Sequence, residues 1–228
     1  MGLWRKIAAF TFCLFMASFA TTLWASPLNP GTYFVALGVP KNLHPAFGKV
    51  QQDIKEKVDS KHRFKVSPLK ELHVTLYYYG TLKAPDRERL RQSLRKIAKE
   101  LKPFTLHYKG LDHFPFRHRR STPPPPRVLW AKCEGEKRAL HDLSGHISQH
   151  AKDEGFRASD FPFNPHVTML RARHPKAGKA LEKVVEFKKN TPDFGIHHVK
   201  EFILYRSGSH FDGGTYTVIE RFPLGKLK

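Results

Sequence analysis

One short sequence pattern occurs twice in the chain, and it contains residues that could perform acid–base chemistry. His-Val-Thr followed by an apolar residue is found at residues 73–76 and again at residues 166–169. Histidine titrates near neutral pH, so two histidines can act as the acid and the base of one reaction. A threonine hydroxyl can donate a hydrogen bond to an anion. The pattern therefore predicts a site that moves protons beside a bound anion.

Two strands are the elements that would bring these side chains together. Side chains alternate between the faces of a strand, so the histidine and threonine of each copy would share one face and the apolar residues the other. The side chains expected on the polar face are His73, Thr75, His166 and Thr168. If the strands lie side by side, these four groups converge on one cleft. The alternative is an ordinary pair of strands, because the chain has 14 histidines and short motifs recur by chance.

The charge of the chain predicts a negatively charged partner. The formal net charge is +20, and without the first 26 residues the chain keeps 38 basic and 20 acidic residues, or +18. Nucleic acid, an anionic membrane surface or an acidic polymer would suit this balance. The alternative is a basic but merely solvated surface. The length of 228 residues and the 40% hydrophobic content predict a folded protein with a sizeable core.

The first 26 residues resemble a targeting segment. Arg5 and Lys6 precede an uncharged apolar run at residues 7–24, and small residues at Ser18, Ala20 and Ala25 offer cleavage sites. We expect a signal peptide, or an N-terminal anchor that attaches the chain to a membrane through residues 7–24 if it is not cleaved. Either form predicts an exported protein, periplasmic or secreted, whose residues 27–228 form a single domain.

Cysteine usage excludes a disulfide framework in a processed chain. Cys133 would be the only cysteine left after removal of the segment that holds Cys13, so neither an intrachain disulfide nor a cysteine-based metal site is expected. Cys133 lies in strand-like sequence, which predicts a buried, unreactive thiol.

Strand-like and helix-like segments alternate along the rest of the chain, with similar order in the two halves. The expected strands are at residues 33–39, 71–80, 103–111, 127–134, 199–206 and 214–222, with the second motif strand at about 166. The expected helices are at residues 44–59, from 85 to 101, and 136–153, and the Lys-rich residues 175–190 include a part that is either helix or strand, which the pattern does not decide. Arginines at 117, 119 and 120 precede prolines at 123–126; this loop could reach a phosphate backbone or be an exposed basic loop.

The two motifs and the segments around them resemble those of a known family, the two-histidine (2H) phosphoesterase superfamily. Within it, the likeness is to the 2′-5′ RNA ligases, also called RNA 2′,3′-cyclic phosphodiesterases. It extends over residues 31–225, and the segments that carry it are 33–37, 72–76, 127–131, 161–171, 204–205, 216–218 and 221–224. The resemblance implies an α+β, two-lobed, pseudo-duplicated fold, with antiparallel sheets lining a central cleft and helices outside.

The resemblance also implies a reaction and roles for particular residues. The expected reaction is metal-independent, cofactor-free hydrolysis of RNA 2′,3′-cyclic phosphate ends to 2′-phosphomonoesters, with His73 as proton donor and His166 as proton acceptor. The residues expected to bind the phosphate are Thr75, Thr168 and Arg171. The motif strands hold no carboxylate, which argues against a two-metal site. The sequence alone does not decide which histidine is the acid.

Other expectations concern the partner. Phe34 and Phe163 could stack on a base, with a place in the core as the alternative. The partner would be RNA with 2′,3′-cyclic phosphate ends, or a small nucleotide, bound by a monomer. Three alternatives stay open: a phosphodiesterase for 2′-5′ oligonucleotides or other small cyclic phosphates, an exported basic RNA-binding module, and minor 2′-5′ RNA ligation by reversal of the hydrolysis.

Overall fold

The two motif strands lie next to each other at the centre of a continuous antiparallel sheet. The computed structural model describes residues 31–58, 64–116, 124–156, 162–185, 191–208 and 216–225. These residues form nine strands: β1 (Thr32–Gly38), β2 (Phe64–Val66), β3 (His73–Thr81), β4 (Phe104–Pro115), β5 (Pro126–Gly135), β6 (His166–Ala172), β7 (Asp193–Val199), β8 (Glu201–Ser207) and β9 (Tyr216–Pro223). Their order across the sheet is β7-β4-β5-β6-β3-β1-β8-β9, and β2 pairs with β6 beyond the end of β3.

Four helices cover the sheet: α1 (His44–Lys57), α2 (Ala84–Glu100), α3 (Lys137–Asp153) and α4 (Pro175–Val184). Short 3₁₀ turns, Lys41–Leu43 and Leu69–Glu71, lead into α1 and β3. Proline stands in the first turn of α1, α2 and α4, where its fixed φ and missing N–H cost nothing. The apolar stripes predicted for α2 and α3 are buried, among them Leu90, Leu94, Leu140, Leu143 and Ile147.

The predicted α+β fold class is confirmed, with one refinement. The resemblance implied antiparallel sheets that line a central cleft, and in the structure the two lobes share one curled antiparallel sheet that is joined where β3 pairs with β6. The predicted strands and helices are all found, with ends moved by a few residues. Two strands were not predicted, β2 and β7, and the unassigned segment begins with α4.

Several predictions fall on residues outside the described ranges. These include the targeting segment at residues 1–26 and the arginine cluster at 117–120. In the part of the chain that the structure describes, no helix combines the length and the apolar character needed to cross a membrane.

The two halves of the chain are interlocked. The helix α1 follows β1 along the chain, yet it packs on β6 and β7 of the other lobe. In the same way α3 follows β5 but packs on β3. Strands are also exchanged between the two halves. The strand β4 comes from the first half but pairs with β5, and β8 comes from the second half but pairs with β1. Each motif strand is therefore supported by a helix from the opposite half of the sequence.

The prediction of a buried, unreactive thiol is confirmed. Cys133 lies on β5 and is 4% exposed. Burial raises the pKa of its thiol to about 12, so the reactive thiolate is scarce at neutral pH.

A second buried titratable group makes the stability of the fold depend on pH. His197 on β7 is buried, and its Nδ1 lies 2.8 Å from Tyr108 Oη. Burial lowers the pKa of His197 to about 4, compared with 6.5 for a free histidine. Below pH 6.5 the unfolded chain binds a proton at this position and the folded chain does not, so acid destabilises the fold.

We therefore expect the contribution of His197 to the free energy of unfolding to fall by about 2 to 3 kcal/mol between pH 7 and pH 4.5. Chemical denaturation at both pH values, for the wild type and His197→Gln, measures it. The variant should show a shallower loss of stability with acid. An equally steep loss in both proteins would contradict this assignment.

Candidate active site

The pairing of β3 with β6 is symmetric about the two motifs. Val74 lies opposite Val167, and these valines hold the same position in the two copies. Continued by one residue each way, this antiparallel register sets His73 opposite Thr168 and Thr75 opposite His166. Residues opposed in this way have Cα atoms about 4.5 to 5.5 Å apart. The two imidazoles and two hydroxyls thus form a compact square on one face.

The predicted alternation of these strands is confirmed. Val74, Leu76, Val167 and Met169 are buried, with exposed fractions of 4% or less. The two histidines and two threonines are half-buried and line one cavity of about 320 Å³. A cavity of this size is in the range that proteins use for small ligands.

A bulge at the same place in each motif strand changes which later residues face the cavity. The register between β1 and β3 skips Leu76, and the register between β5 and β6 skips Met169. Each skipped residue stands three positions after the motif histidine. Beyond it the alternation is shifted by one, so Tyr78 and Arg171, each five positions after its histidine, line the cavity. Without the bulge, Arg171 would point to the opposite face of the strand from His166.

Buried polar side chains from the helices satisfy the carbonyl groups of both bulges. Ser144 Oγ on α3 donates to Leu76 O at 3.1 Å. Gln51 Nε2 on α1 donates to Met169 O at 3.0 Å and to Ser67 O at 2.9 Å. A buried carbonyl without a donor is costly, and a bulge removes a residue from the regular ladder. These two residues therefore stabilise the bends that direct Tyr78 and Arg171 into the cavity.

Each imidazole is oriented by a backbone carbonyl two residues earlier. Nδ1 of His73 lies 2.7 Å from Glu71 O, and Nδ1 of His166 lies 2.7 Å from Asn164 O. A carbonyl oxygen only accepts hydrogen bonds, so each Nδ1 carries the proton and donates it. Nε2 is then the nitrogen of each ring that is available to a ligand, and in the neutral ring it is an acceptor.

Both histidines are neutral at pH 7 in the unliganded protein. Burial lowers the pKa of His73 to about 4; the Glu71 carbonyl opposes this shift, and His166 and Arg171 add to it. Burial also lowers the pKa of His166, against the Asn164 carbonyl and with the help of Arg171. A bound anion would offset these effects, because a negative charge favours the imidazolium form.

Polar and charged side chains around the histidines suit an anion. Arg171 Nη2 lies 3.5 Å from Thr168 Oγ1, which holds the guanidinium beside the second motif. Lys65 also lines the cavity, and Glu71 is the carboxylate among its lining residues. The guanidinium and the two threonine hydroxyls can donate hydrogen bonds to the oxygens of one phosphate.

A different set of aromatic rings surrounds each histidine. The ring of His73 lies 5.2 Å from Phe34 and 5.2 Å from Tyr216. The ring of His166 lies 4.9 Å from Phe114 and 5.6 Å from Trp130. A further cavity of about 530 Å³ opens beside His166, lined by residues that include Phe114, Arg127, Pro162 and Arg171.

The structure brings together most of the site residues that were predicted from the sequence. His73, Thr75, His166, Thr168, Arg171 and Phe34 all line the same cavity. Phe163 does not: it packs against the hydrophobic core, with its ring 5.1 Å from that of His141 on α3. Of the two positions considered for Phe163, on a stacking surface or in the core, the structure shows Phe163 packed against the core.

Sequence reasoning missed four neighbours of the histidines: Tyr216, Phe114, Trp130 and Lys65. Trp130 and Tyr216 lie within the segments that carried the family resemblance, which was the available signal. Lys65 gave none, because β2 is only three residues long. Among the described residues no three His, Cys, Asp or Glu side chains come together as a potential metal site.

Comparison with known proteins supports the family expected from the sequence. The family model described as "AKAP7 2′5′ RNA ligase-like domain" matches residues 31–224. The RNA 2′,3′-cyclic phosphodiesterase of Aquifex aeolicus (strain VF5) is 30% identical over 181 residues, which cover 79% of this chain and 92% of that protein.

Solved structures show the same fold. The protein TT0787 of Thermus thermophilus has a TM-score of 0.69 at 24% identity, covering 86% of this chain and 100% of that one. Escherichia coli LigT complexed with 3′-AMP has a TM-score of 0.65 at 24% identity, covering 86% of this chain and 98% of that one.

The hydrogen bond from Gln51 to the bulge at Met169 gives a testable prediction. Gln51→Leu keeps the volume at this position but removes the hydrogen bonds to Ser67 O and Met169 O, and Met169 O keeps only the Ser67 N–H as a donor, at 2.9 Å. We therefore expect the variant to lower the free energy of unfolding by about 1 to 2 kcal/mol. The adjacent Gln52 bonds Glu56 on the exposed face of α1, and Gln52→Leu should change stability by less than about 0.5 kcal/mol. Chemical denaturation of both variants measures the difference, and equal effects would contradict the role of Gln51.

Proposed function

The chain belongs to the 2′-5′ RNA ligase-like family of two-histidine phosphoesterases, and from this premise we propose that it hydrolyses RNA 2′,3′-cyclic phosphate ends to 2′-phosphomonoesters. The observation that carries the proposal is the pair of histidines on adjacent strands, each with Nε2 available, beside two threonines and Arg171 in one cavity. The relative from Aquifex aeolicus bears the name of this activity.

The reaction needs a proton acceptor and a proton donor on opposite sides of phosphorus. His166 Nε2 takes a proton from water as the water oxygen attacks phosphorus. The bond from phosphorus to the 3′ oxygen breaks, and His73, in the imidazolium form that the bound anion favours, delivers its Nε2 proton to that oxygen while Nδ1–H stays on the Glu71 carbonyl. The product carries a 2′-phosphate and a free 3′-hydroxyl. Thr75, Thr168 and Arg171 donate hydrogen bonds to the non-bridging oxygens, where negative charge increases in the transition state.

The aromatic rings beside His73 support its role as the donor. Phe34 stacks on Tyr205 with ring centroids 5.2 Å apart, and Tyr216 packs edge-on against Phe34 at 5.0 Å. Phe34 is only 5% exposed, so the half-buried ring of Tyr216 is the one that offers a face to a nucleobase, which stacks on aromatic faces. With the base held there, the ribose lies on the His73 side, and its 3′ oxygen is the leaving group that His73 protonates.

A second candidate reaction is favoured by the cavity beside His166. That cavity of about 530 Å³ has apolar walls and the guanidinium of Arg127, so it could hold a second nucleoside on the far side of the phosphate. The substrate would then be a 2′-5′-linked oligonucleotide, and the reverse reaction would be a minor 2′-5′ RNA ligation. Water is the more abundant nucleophile, so hydrolysis dominates.

The sequence of residues 1–26 bears on the location of the enzyme. Their sequence supports export, with the domain at residues 27–228 outside the cytoplasmic membrane. Its substrate would then be RNA ends met outside the cytoplasm.

The assay uses a short oligoribonucleotide with a 2′,3′-cyclic phosphate end. We expect a 2′-phosphate product and undiminished turnover in excess chelator. His73→Ala and His166→Ala should each lower kcat/KM by about 10²- to 10⁴-fold, the usual contribution of general acid–base catalysis.

A matched control is His146→Ala. His146 Nδ1 also lies 2.7 Å from a backbone carbonyl, that of Asp142, but on the exposed surface of α3. This variant should keep wild-type activity. If both cleft variants stay within a few-fold of wild type, or if chelator abolishes turnover, the proposed mechanism fails.

The lowered pKa values predict an acidic pH optimum. The donor must hold a proton before it acts, and the pKa values of both histidines lie below 6.5 in the free enzyme. The protonated fraction of the donor therefore falls as the pH rises, and kcat/KM should decrease by about tenfold per pH unit above pH 6.5. Rates at constant ionic strength from pH 5 to 8 test this, and a maximum above pH 7.5 would refute it.

A further inference from the structure

A large basic cavity lies beyond the active site, at the end of β1. Its volume is about 720 Å³, and its lining includes Gly38, Lys41 and Asn42, and residues of β7, β8 and β9. We call it the lysine cavity, after its cations Lys41, Lys70 and Lys200, which are accompanied by Arg221. None of these residues takes part in the mechanism described above.

The charges of the lysine cavity are largely uncompensated. Glu201 is the carboxylate among its lining residues, and this group is occupied by Arg221, whose Nη1 lies 2.5 Å from Glu201 Oε1. Lys41, Lys70 and Lys200 are exposed, and no carboxylate of the described part of the chain pairs with them. Three ammonium groups around one concave surface favour a ligand with several negative charges.

Only a thin wall separates the lysine cavity from the active site. Tyr205 lines the lysine cavity, and the other side of its ring stacks on Phe34, with His73 at 6.3 Å. Gly38 also lines it and pairs directly with His73 in the sheet.

The segment that leads into the first motif, the 3₁₀ turn Leu69–Glu71 and Leu72, lines both cavities. Lys70 and Leu72 line the lysine cavity, whereas Glu71 and His73 line the active-site cavity.

We propose that the lysine cavity binds backbone phosphates of the RNA chain that precedes the cyclic phosphate. This inference rests on the proposed function, in which the terminal ribose lies on the His73 side. The 5′ oxygen of that ribose carries the rest of the chain, which therefore leaves the active site on the side where the lysine cavity opens. Basic grooves beside stacking aromatic rings are a common way to bind single-stranded RNA. The enzyme is thus built for RNA chains rather than for mononucleotides.

The test compares two substrates in one triple variant, Lys41→Glu, Lys70→Glu and Lys200→Glu. For a nucleoside 2′,3′-cyclic phosphate, which has no preceding phosphate, kcat/KM should stay within about twofold of wild type. For a six-nucleotide RNA with a 2′,3′-cyclic phosphate end, kcat/KM should fall by about tenfold or more, mainly through KM. The slope of log(kcat/KM) against log(salt) for the oligomer should also become shallower by about 2, since each lost phosphate contact removes about 0.7.

The control variant changes the net charge equally at a distance from both cavities. Lys96 and Lys99 on α2 and Lys152 on α3 are exposed and line neither cavity. Their replacement by Glu should leave the ratio of the two kcat/KM values unchanged, and the melting temperature shows whether each variant is folded. Equal losses on both substrates, no loss on the oligomer, or the same loss in the control would each overturn the proposal.

A binding experiment separates this inference from the proposed function. Fluorescence anisotropy with a labelled six-nucleotide RNA that ends in a 2′-phosphate measures affinity without turnover. If the wild type hydrolyses neither substrate, the proposed function fails, and anisotropy alone decides on the lysine cavity. Weaker RNA binding in the lysine-cavity variant would support it. Unchanged RNA binding, with loss of binding to anionic phospholipid vesicles, would assign the cavity to a membrane surface and overturn it.

Discussion

The pairing of Val74 with Val167 is the contact on which the site depends. It joins the two halves, of five and four strands, into one sheet and sets each histidine beside the threonine of the other copy. The buried valines fix this register, because a slip by one residue would turn the polar side chains into the core. The catalytic groups are therefore positioned by apolar packing under the sheet rather than by contacts among themselves.

The two motifs are alike in local backbone structure but not in the side chains around them. Each motif strand has a bulge three residues after its histidine. In each strand the histidine donates a hydrogen bond to the backbone carbonyl two residues earlier, and a buried polar side chain from a helix donates to the carbonyl of the bulged residue. The equivalence ends at the cavity wall, where Arg171 takes the position that Tyr78 takes in the other half. This difference, with the different aromatic rings around each imidazole, lets a symmetric frame bind an asymmetric substrate and give the two histidines different roles.

The sequence predicted the elements whose hydrophobic pattern is regular and missed those whose pattern is not. The motif strands and the long helices have clean periodicity, so their positions and inward faces were predictable. The edge strand β7 was not predicted because Asp193, Gly195 and the histidines that follow are not typical of strands. This segment is a strand because it pairs with β4.

The site shows the same division between regular and irregular features. Strict alternation would have put Arg171 on the wrong face, and only the resemblance assigned it to the phosphate, because a bulge is invisible in the pattern of a single strand. Phe163 shows the reverse error, since an aromatic residue beside a motif can belong to the core as readily as to the cleft. The rings around His73 come from strands far apart in the chain, and only the fold reveals that they meet.

The exchange of elements between the lobes has a consequence for how the chain folds. Since α1 supports the strand of the second motif and α3 that of the first, neither half of the chain contains a complete lobe. A fragment that ends between the halves would contain β3 without α3 and would expose the apolar underside of that strand. The pairing of Val74 with Val167 joins residues about 90 positions apart, so it forms only after both halves of the chain have been synthesised. Contacts between residues so distant in the chain generally slow folding.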